Sequence, residues 1–513
     1  MSQTSDNNKR IAKNTALLYV RMFFTMAVSL YTSRVVLATL GVEDFGIYGV
    51  VGGIVTMFDF LNASMSGCTS RFLTYELGKK DWRNLCETFS TAMYVHMAIA
   101  MLVLVVAEPV GLWFLHFKMQ IPQGRMFAAQ VVFHVSILSM MLNVTQVPYN
   151  ASIISHERMD IYAYVGMAVV LLKLLIVYVL MIGSFDKLIL YSILVFAVTL
   201  SVAIFYRIYC IRNFNECHIL RVWRPDIFKK MMSFSGWDLY GNLTVTMRST
   251  GISMLLNMFF GPVVNAASAI ASQIQGAVMA FSQNVTTAVR PQIIKRYAAG
   301  EIESMISLVR NAVKLNFLVL LLITTPLIVE IHFILNLWLG QVPDYTVEFC
   351  SLTLLFNFFA ELSFILAIGI HATGKIYRLS FINGTLYLLV VPFSYIAFKL
   401  GGGPWVSYLF NVITICMGLL NNAYTLKLYI KDFPLVKFLL VDMLPCILLM
   451  FTAFALAYSM HFLCNEGWLR LVLVCLMSSS YTSIIGYLFI LPKSLRIRLK
   501  AKLVAKVISV YKK

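Results

Sequence analysis

Gly41-Val42-Glu43-Asp44 opens an apolar run that Arg71 closes, and Gly261-Pro262-Val263-Val264 opens another that Arg290 closes at nearly the same separation. Each arginine is followed by a short basic stretch with a glycine: Leu77-Gly78-Lys79-Lys80 in one copy, Lys295-Arg296 through Gly300 in the other. The offset between the copies covers six apolar runs. An even number of crossings preserves chain direction, so the spacing predicts a parallel repeat about an axis along the membrane normal. Transporters that bind substrate between two lobes are often built by such duplication.

Composition supports a membrane setting for these runs. The 513 residues are 60% hydrophobic and 12% charged, with a mean hydropathy of +0.80. Soluble domains do not reach such values. At about 20 residues per crossing, the length accommodates about twelve to fourteen helices. Apolar runs occupy 14–40, 45–73, 84–115, 125–153, 161–183, 187–209, 231–260, 263–289, 312–339, 345–372, 378–399, 404–426, 438–462 and 468–491. The predicted fold class is an all-α polytopic membrane protein of about fourteen helices. Residues 1–13 are polar and the first apolar run is too long for a signal h-region, so no cleavable signal peptide is expected. The nine cysteines are scattered without CxxC or Cys/His metal spacing and read as small apolar side chains; no metal and no cofactor is expected.

The formal charge of +18 is mostly topological. With the N-terminus inside, the inner segments carry 29 Lys and Arg and the outer segments 5. That asymmetry places both termini in the cytoplasm, and it argues against nucleic acid as a partner. The tail, 493–513, sets Leu495, Leu499, Leu503, Val507 and Val510 at helical spacing among basic residues. It reads either as an amphipathic helix on the inner leaflet or as a solvated topogenic tail. The expected organisation is a six-helix lobe over 1–213, a basic cytoplasmic linker over 214–230, a second six-helix lobe over 231–430, helices 13 and 14 over 431–492, and the tail.

The run from Arg34-Val35-Val36-Leu37-Ala38-Thr39-Leu40-Gly41 through Val42-Glu43-Asp44-Phe45-Gly46-Ile47-Tyr48 resembles the end of the first span of polysaccharide and oligosaccharide flippases. Asn257-Met258-Phe259-Phe260-Gly261-Pro262-Val263-Val264-Asn265-Ala266-Ala267 resembles it again in the second half. Both look like the O-antigen flippase (Wzx-type) branch of the multidrug/oligosaccharidyl-lipid/polysaccharide (MOP) superfamily. The resemblance implies two six-helix lobes around a central cavity, alternating access, and export of an undecaprenyl-diphosphate-linked sugar across the bacterial cytoplasmic membrane. It implies membrane lipids and polysaccharide-assembly proteins as further partners, and a monomer.

Seven cations fall inside apolar runs: Arg21, Arg34, Arg71, Lys173, Arg248, Arg310 and Lys314. Each costs on the order of 3 kcal/mol at mid-bilayer. Arg34, Arg71 and Arg290 lie near span ends, where snorkelling suffices, and Arg310 and Lys314 are expected to snorkel too. Arg248 lies about 20 Å below the outer end of its helix, and the nearest acid on that helix, Asp238, is nearly three turns away. Arg21 is similarly deep. A guanidinium fork fits phosphate oxygens, so Arg248 and Arg21, then Arg34, are the candidate diphosphate ligands. On the seventh span Asn242, Thr246, Ser249, Ser253 and Asn257 share a helical face, and on the eighth Asn265, Ser268, Ser272, Gln275, Ser282 and Thr286 do the same. Small hydroxylated residues also let membrane helices pack closely. The amides beside Arg248 favour a water-filled cavity, with Asn242, Asn257 and Gln275 as substrate-binding candidates.

Asp59, Asp238, Glu330 and Glu361 are intramembrane acids, and such carboxyls can exchange ions or protons or can pair with the arginines. Asp59 is a candidate partner for Arg21 at similar depth. Glu361, with Asn357 one turn away, is the leading coupling candidate, followed by Asp59 and Asp238. Three functions remain in play. The first is a lipid-linked oligosaccharide flippase. The second is a multidrug or toxin extrusion antiporter of the same superfamily, for which an acidic, aromatic cavity is expected instead of arginines. An enzyme using polyprenyl substrates is disfavoured, because there is no DxD and no outer loop looks long enough for a catalytic segment.

Overall fold

The computed structural model describes residues 2–56, 59–117, 121, 124–180, 185–339, 342–491 and 496. The side chains of Arg34, Asp59 and Asn265 lie outside what is described, and so does the tail over 493–513 apart from Arg496. The described chain is helical throughout, with no strand among the described residues. The first six helices are α1 (Ser2–Thr56), α2 (Asp59–Lys79), α3 (Trp82–Phe117), α4 (Met126–Ser155), α5 (Met159–Val179) and α6 (Lys187–Asn213). A 3-10 turn at Asn215–Cys217 leads to α7 (Pro225–Phe260), α8 (Pro262–Ala298), α9 (Ile302–Val329) and α10 (Ile331–Leu339). There follow α11 (Thr346–Thr373), α12 (Tyr377–Lys399), α13 (Val406–Tyr429) and α14 (Leu435–Lys437). A π-helical turn, Phe438–Met443, joins α14 to α15 (Leu444–Tyr458), and α16 (Trp468–Ile485) comes last.

Ten of these segments are long and apolar enough to cross a membrane. The other four apolar runs read from the sequence fall on α1 and α2 either side of Gly41, on α7 and on α8. The chain forms two compact units, Met1–Asn242 and Leu243–Lys513, which divide within α7.

The same local design recurs in both units. Gly41 interrupts α1 with φ 82° and ψ 167°, and Gly261, between α7 and α8, has φ 83° and ψ −176°. Only glycine enters this region without strain, which explains why both copies of the repeat open on it. In the first unit α4 packs against α2, α3 and α6, and in the second α11 packs against α8, α9 and α13. The hub helix of the second unit is the more enclosed, because 78% of its most apolar window is buried, against 39% for α4.

Charges close the ends of the first unit. Arg125 donates from Nε to Asp44 just past the Gly41 break (2.8 Å) and also pairs with Asp186, which caps α6 by accepting from the Leu188 and Ile189 N–H groups. Burial would raise the Asp186 carboxyl, but the Ile189 N–H, the Arg125 guanidinium and the Leu188 N–H together hold it below the usual carboxylate range.

In the second unit the structure corrects the expectation of snorkelling cations. Arg310 and Lys314 on α9 both pair with Asp442, a fully enclosed carboxylate in the π-helical turn. The ninth run also breaks at Glu330, which caps α9 and pairs with Arg470 of α16 at 2.9 Å. Arg470, counted by sequence as an outer-segment cation, is buried. An acid supplied from a distant helix offsets desolvation that snorkelling was expected to avoid.

Candidate functional site

In the second unit, Arg248 lies on α7 and is 9% exposed. Its guanidinium carbon stands 5.0 Å from the Phe356 ring of α11 and 4.7 Å from the Tyr387 ring of α12. Nη1 is buried without a hydrogen-bond partner, and Arg248 makes no ion pair among the described residues. Gly251, one turn on, lets α7 approach α12, since a Cβ there would come within 2.9 Å of Val391. The guanidinium is thus held by two π faces, with donor capacity left over.

Arg248 lines a cavity of about 80 Å³ together with Ser249, Ser268, Ser272, Gln275, Thr353 and Asn411. A water needs about 10–15 Å³ on this measure, so the cavity has room for a few waters and not for a sugar. Its lining includes a cation, hydroxyls and amides, with no carboxylate.

The polar face of α8 continues past the cavity as a ladder with a regular step of nearly two helical turns. Ser268 accepts from the Tyr408 hydroxyl at 2.7 Å. Gln275 donates through Nε2 to Asn357 Oδ1 at 3.2 Å. Ser282 donates to Glu361 Oε2 at 2.6 Å and accepts from the Asn316 amide. At that step the three rungs share one face and lie roughly 10 Å apart. Glu361 is 1% exposed and has no cation within ion-pair distance among the described residues. The sequence marked this α8 face and Glu361. It missed Tyr408, Asn316 and the two rings around Arg248, because those lie on other helices with no periodic link to the site.

The remaining candidates are distributed differently. Arg21 belongs to the first unit, where its guanidinium covers the Tyr162 ring at 4.3 Å. Gly166 leaves room for it, because a Cβ there would collide with the guanidinium. Arg21 Nε is buried without a hydrogen-bond partner. Asn242 donates to Ser64 Oγ at 3.0 Å and to Asp238 at 3.3 Å, also within the first unit. Asn257 is exposed near the end of α7 and does not line the cavity. Arg34 and Asp59, including any Arg21–Asp59 pair, lie outside the described side chains. Among the four intramembrane acids, Glu330 is committed to Arg470 and lies 3.4 Å from His461. Lys173 is exposed on α5.

No family model and no curated protein sequence matches the chain. Solved structures do match. MATE in complex with MaD5 aligns with a TM-score of 0.69 at 14% identity, over 83% of this chain and 98% of that one. A MOP superfamily transporter from Pyrococcus furiosus, described as having a binding pocket of reverse polarity that suggests a different function, aligns at 0.68 and 13%, over 82% and 96%. An outward-facing multidrug resistance MATE family transporter of the same superfamily aligns at 0.66 and 12%, over 82% and 96%. At these identities the likeness is one of architecture: the chain has the fold of the MOP-superfamily transporters.

Proposed function

We propose that this chain is a flippase that moves a polyprenyl-diphosphate-linked oligosaccharide from the inner to the outer leaflet of the cytoplasmic membrane, by alternating access, in cell-surface polysaccharide biosynthesis. The observation that carries the proposal is Arg248, an enclosed cation with a free donor in a polar, acid-free cavity. A diphosphate supplies the anionic oxygens that such a guanidinium lacks. Arg21, held on Tyr162 with its own unused donor, is the second diphosphate ligand, and Arg34 the third. Gln275 contacts the sugar or its linkage beside Arg248. The small volume of the cavity means that the head group enters only when the site widens. Glu361 is the ion-coupling residue, poised on the same α8 ladder by Ser282, and Asp238 is a secondary candidate.

Multidrug extrusion remains a second reading, favoured by the fold shared with a multidrug resistance transporter. A cationic drug would meet Arg248 at close range with no acid beside it, which is repulsive in low dielectric. Vesicles holding the purified protein distinguish the two. Flipping of fluorescently labelled lipid-linked oligosaccharide, lost on Arg248→Ala and Arg21→Ala, supports the flippase. Extrusion of ethidium with no lipid flipping by the wild-type protein refutes it in favour of drug export.

A further inference from the structure

The stretch between α6 and α7 is a folded strap. Phe214, Glu216 and Cys217 are buried, His156 stacks on Phe214 at 4.1 Å, and its Nε2 meets Glu216 at 2.6 Å. Beyond them the backbone is fastened to α3: the Leu220 N–H donates to Ser90 Oγ at 2.9 Å, and Tyr94 donates to the Leu220 carbonyl at 3.0 Å. Trp223 then packs edge-on against Tyr94 and at a tilt against Phe228, while Arg224 pairs with Asp226 and Glu87.

The height of this fastening matters. α3 has 36 residues, about 54 Å, against a hydrocarbon core of about 30 Å. The start of its apolar run, with Glu87 and His96, is mostly buried within the unit, and outward-facing apolar side chains begin at Met97 and continue through Met101, Leu102 and Val105. Ser90 and Tyr94 therefore stand just before the outward-facing apolar stretch, at headgroup level, on the side that carries most of the Lys and Arg.

At that level the strap turns apolar side chains outward. Ile219, Leu220, Val222 and Trp223 are 47%, 39%, 38% and 49% exposed. Four such side chains held rigidly in one short segment are costly in water but suit the membrane interface, where tryptophan and tyrosine concentrate. The local acids are already engaged: Glu87 by Arg83 and Arg224, Asp226 by Arg224, and Glu216 by His156. Arg212 and Arg221, both exposed, have no ion pair among the described residues.

We propose that segment 212–224 is an interfacial strap that binds anionic phospholipid headgroups through Arg212 and Arg221, with Trp223 and its apolar neighbours seated at the acyl boundary. The inference rests on the membrane-spanning fold and is independent of the transported substrate. The test uses the full chain, purified in detergent with equal amounts of phosphatidylglycerol and phosphatidylcholine, and counts retained lipids by native mass spectrometry. Wild-type protein is expected to retain phosphatidylglycerol preferentially. Each basic residue near an anionic surface is worth roughly a fivefold change in affinity, so R212Q/R221Q should lose retention about thirtyfold, with phosphatidylcholine unchanged. In reconstituted vesicles, brominated phosphatidylglycerol should quench the fluorescence removed by W223F more than brominated phosphatidylcholine does. K375Q/K431Q, with the same charge change in the second unit, is the control. Equal loss in that control, or equal retention of both lipids by the wild-type protein, overturns the proposal.

Discussion

Replacing Arg248 with methionine should separate a working cation from a structural one, because the two roles predict opposite signs of stability. Met keeps much of the stem volume and its contact with Phe356 and Tyr387, and it removes the charge. The two ring contacts, at 5.0 and 4.7 Å, are worth at most about 2 kcal/mol each when desolvated. Enclosing an ion that has no acid partner costs several kcal/mol. The difference favours the variant by about 1–2 kcal/mol, and a buried thioether packs well against aromatic rings. R248M should therefore unfold in detergent at the wild-type temperature or a few degrees above it. Binding should move the other way. A guanidinium making two charge-assisted hydrogen bonds to a diphosphate contributes about 3 kcal/mol, or about a hundredfold in affinity. R248K, which keeps the charge and loses the fork, should fall between, at about tenfold. Binding of lipid-linked oligosaccharide by native mass spectrometry, alongside thermal unfolding, reads both axes. A variant that is markedly less stable, yet binds and flips within about twofold of wild type, would refute the assignment of Arg248 to the substrate.

Three further outcomes follow from the geometry. Glu361→Gln keeps the bond to Ser282 but removes the ionisable group, so transport driven by an imposed ion gradient should drop at least about tenfold while substrate binding is unchanged; equal gradient dependence in the variant would exclude Glu361 from coupling. Arg470→Met leaves Glu330 enclosed without its cation and should cost about 3–5 kcal/mol in thermal or denaturant unfolding, whereas E330Q/R470M together should recover most of that loss. Gly261→Ala and Gly41→Ala should each cost about 1–3 kcal/mol of backbone strain, and similar losses at the two sites, read by thermal unfolding, are expected from their shared φ and ψ.

Membrane residence was legible from composition, because burying 60% hydrophobic sequence in water-soluble form is not feasible at this length. The repeat was legible because glycine punctuation is local: a positive φ of this kind demands Gly wherever it occurs, and both copies show it. The polar face of α8 was legible for a similar reason, since helical periodicity alone places Ser268, Gln275 and Ser282 in one line. The partners of the buried charges were not legible. Arg310 and Lys314 looked like interfacial snorkels until Asp442 came to them from a turn several helices further down the chain. Glu330 stood open between ion exchange and pairing until α16 supplied Arg470, and Glu361 acquired Ser282, itself held by Asn316, from two other helices.

The sequence by itself determined that the chain is a helical membrane protein, where its helices lie, that a glycine-opened unit recurs, and that Arg248 and Glu361 fall inside apolar runs. Those properties depend on composition and on periods of a few residues. Only the tertiary structure decided which deep charges are neutralised and which are left available. In low dielectric, the energy of a buried ion is set by whatever stands within a few ångströms of it, and helix packing brings those groups together from residues with no fixed spacing along the chain. By that criterion Asp442 and Glu330 are spent on structure, while Arg248 remains an enclosed cation with no acid beside it among the described residues.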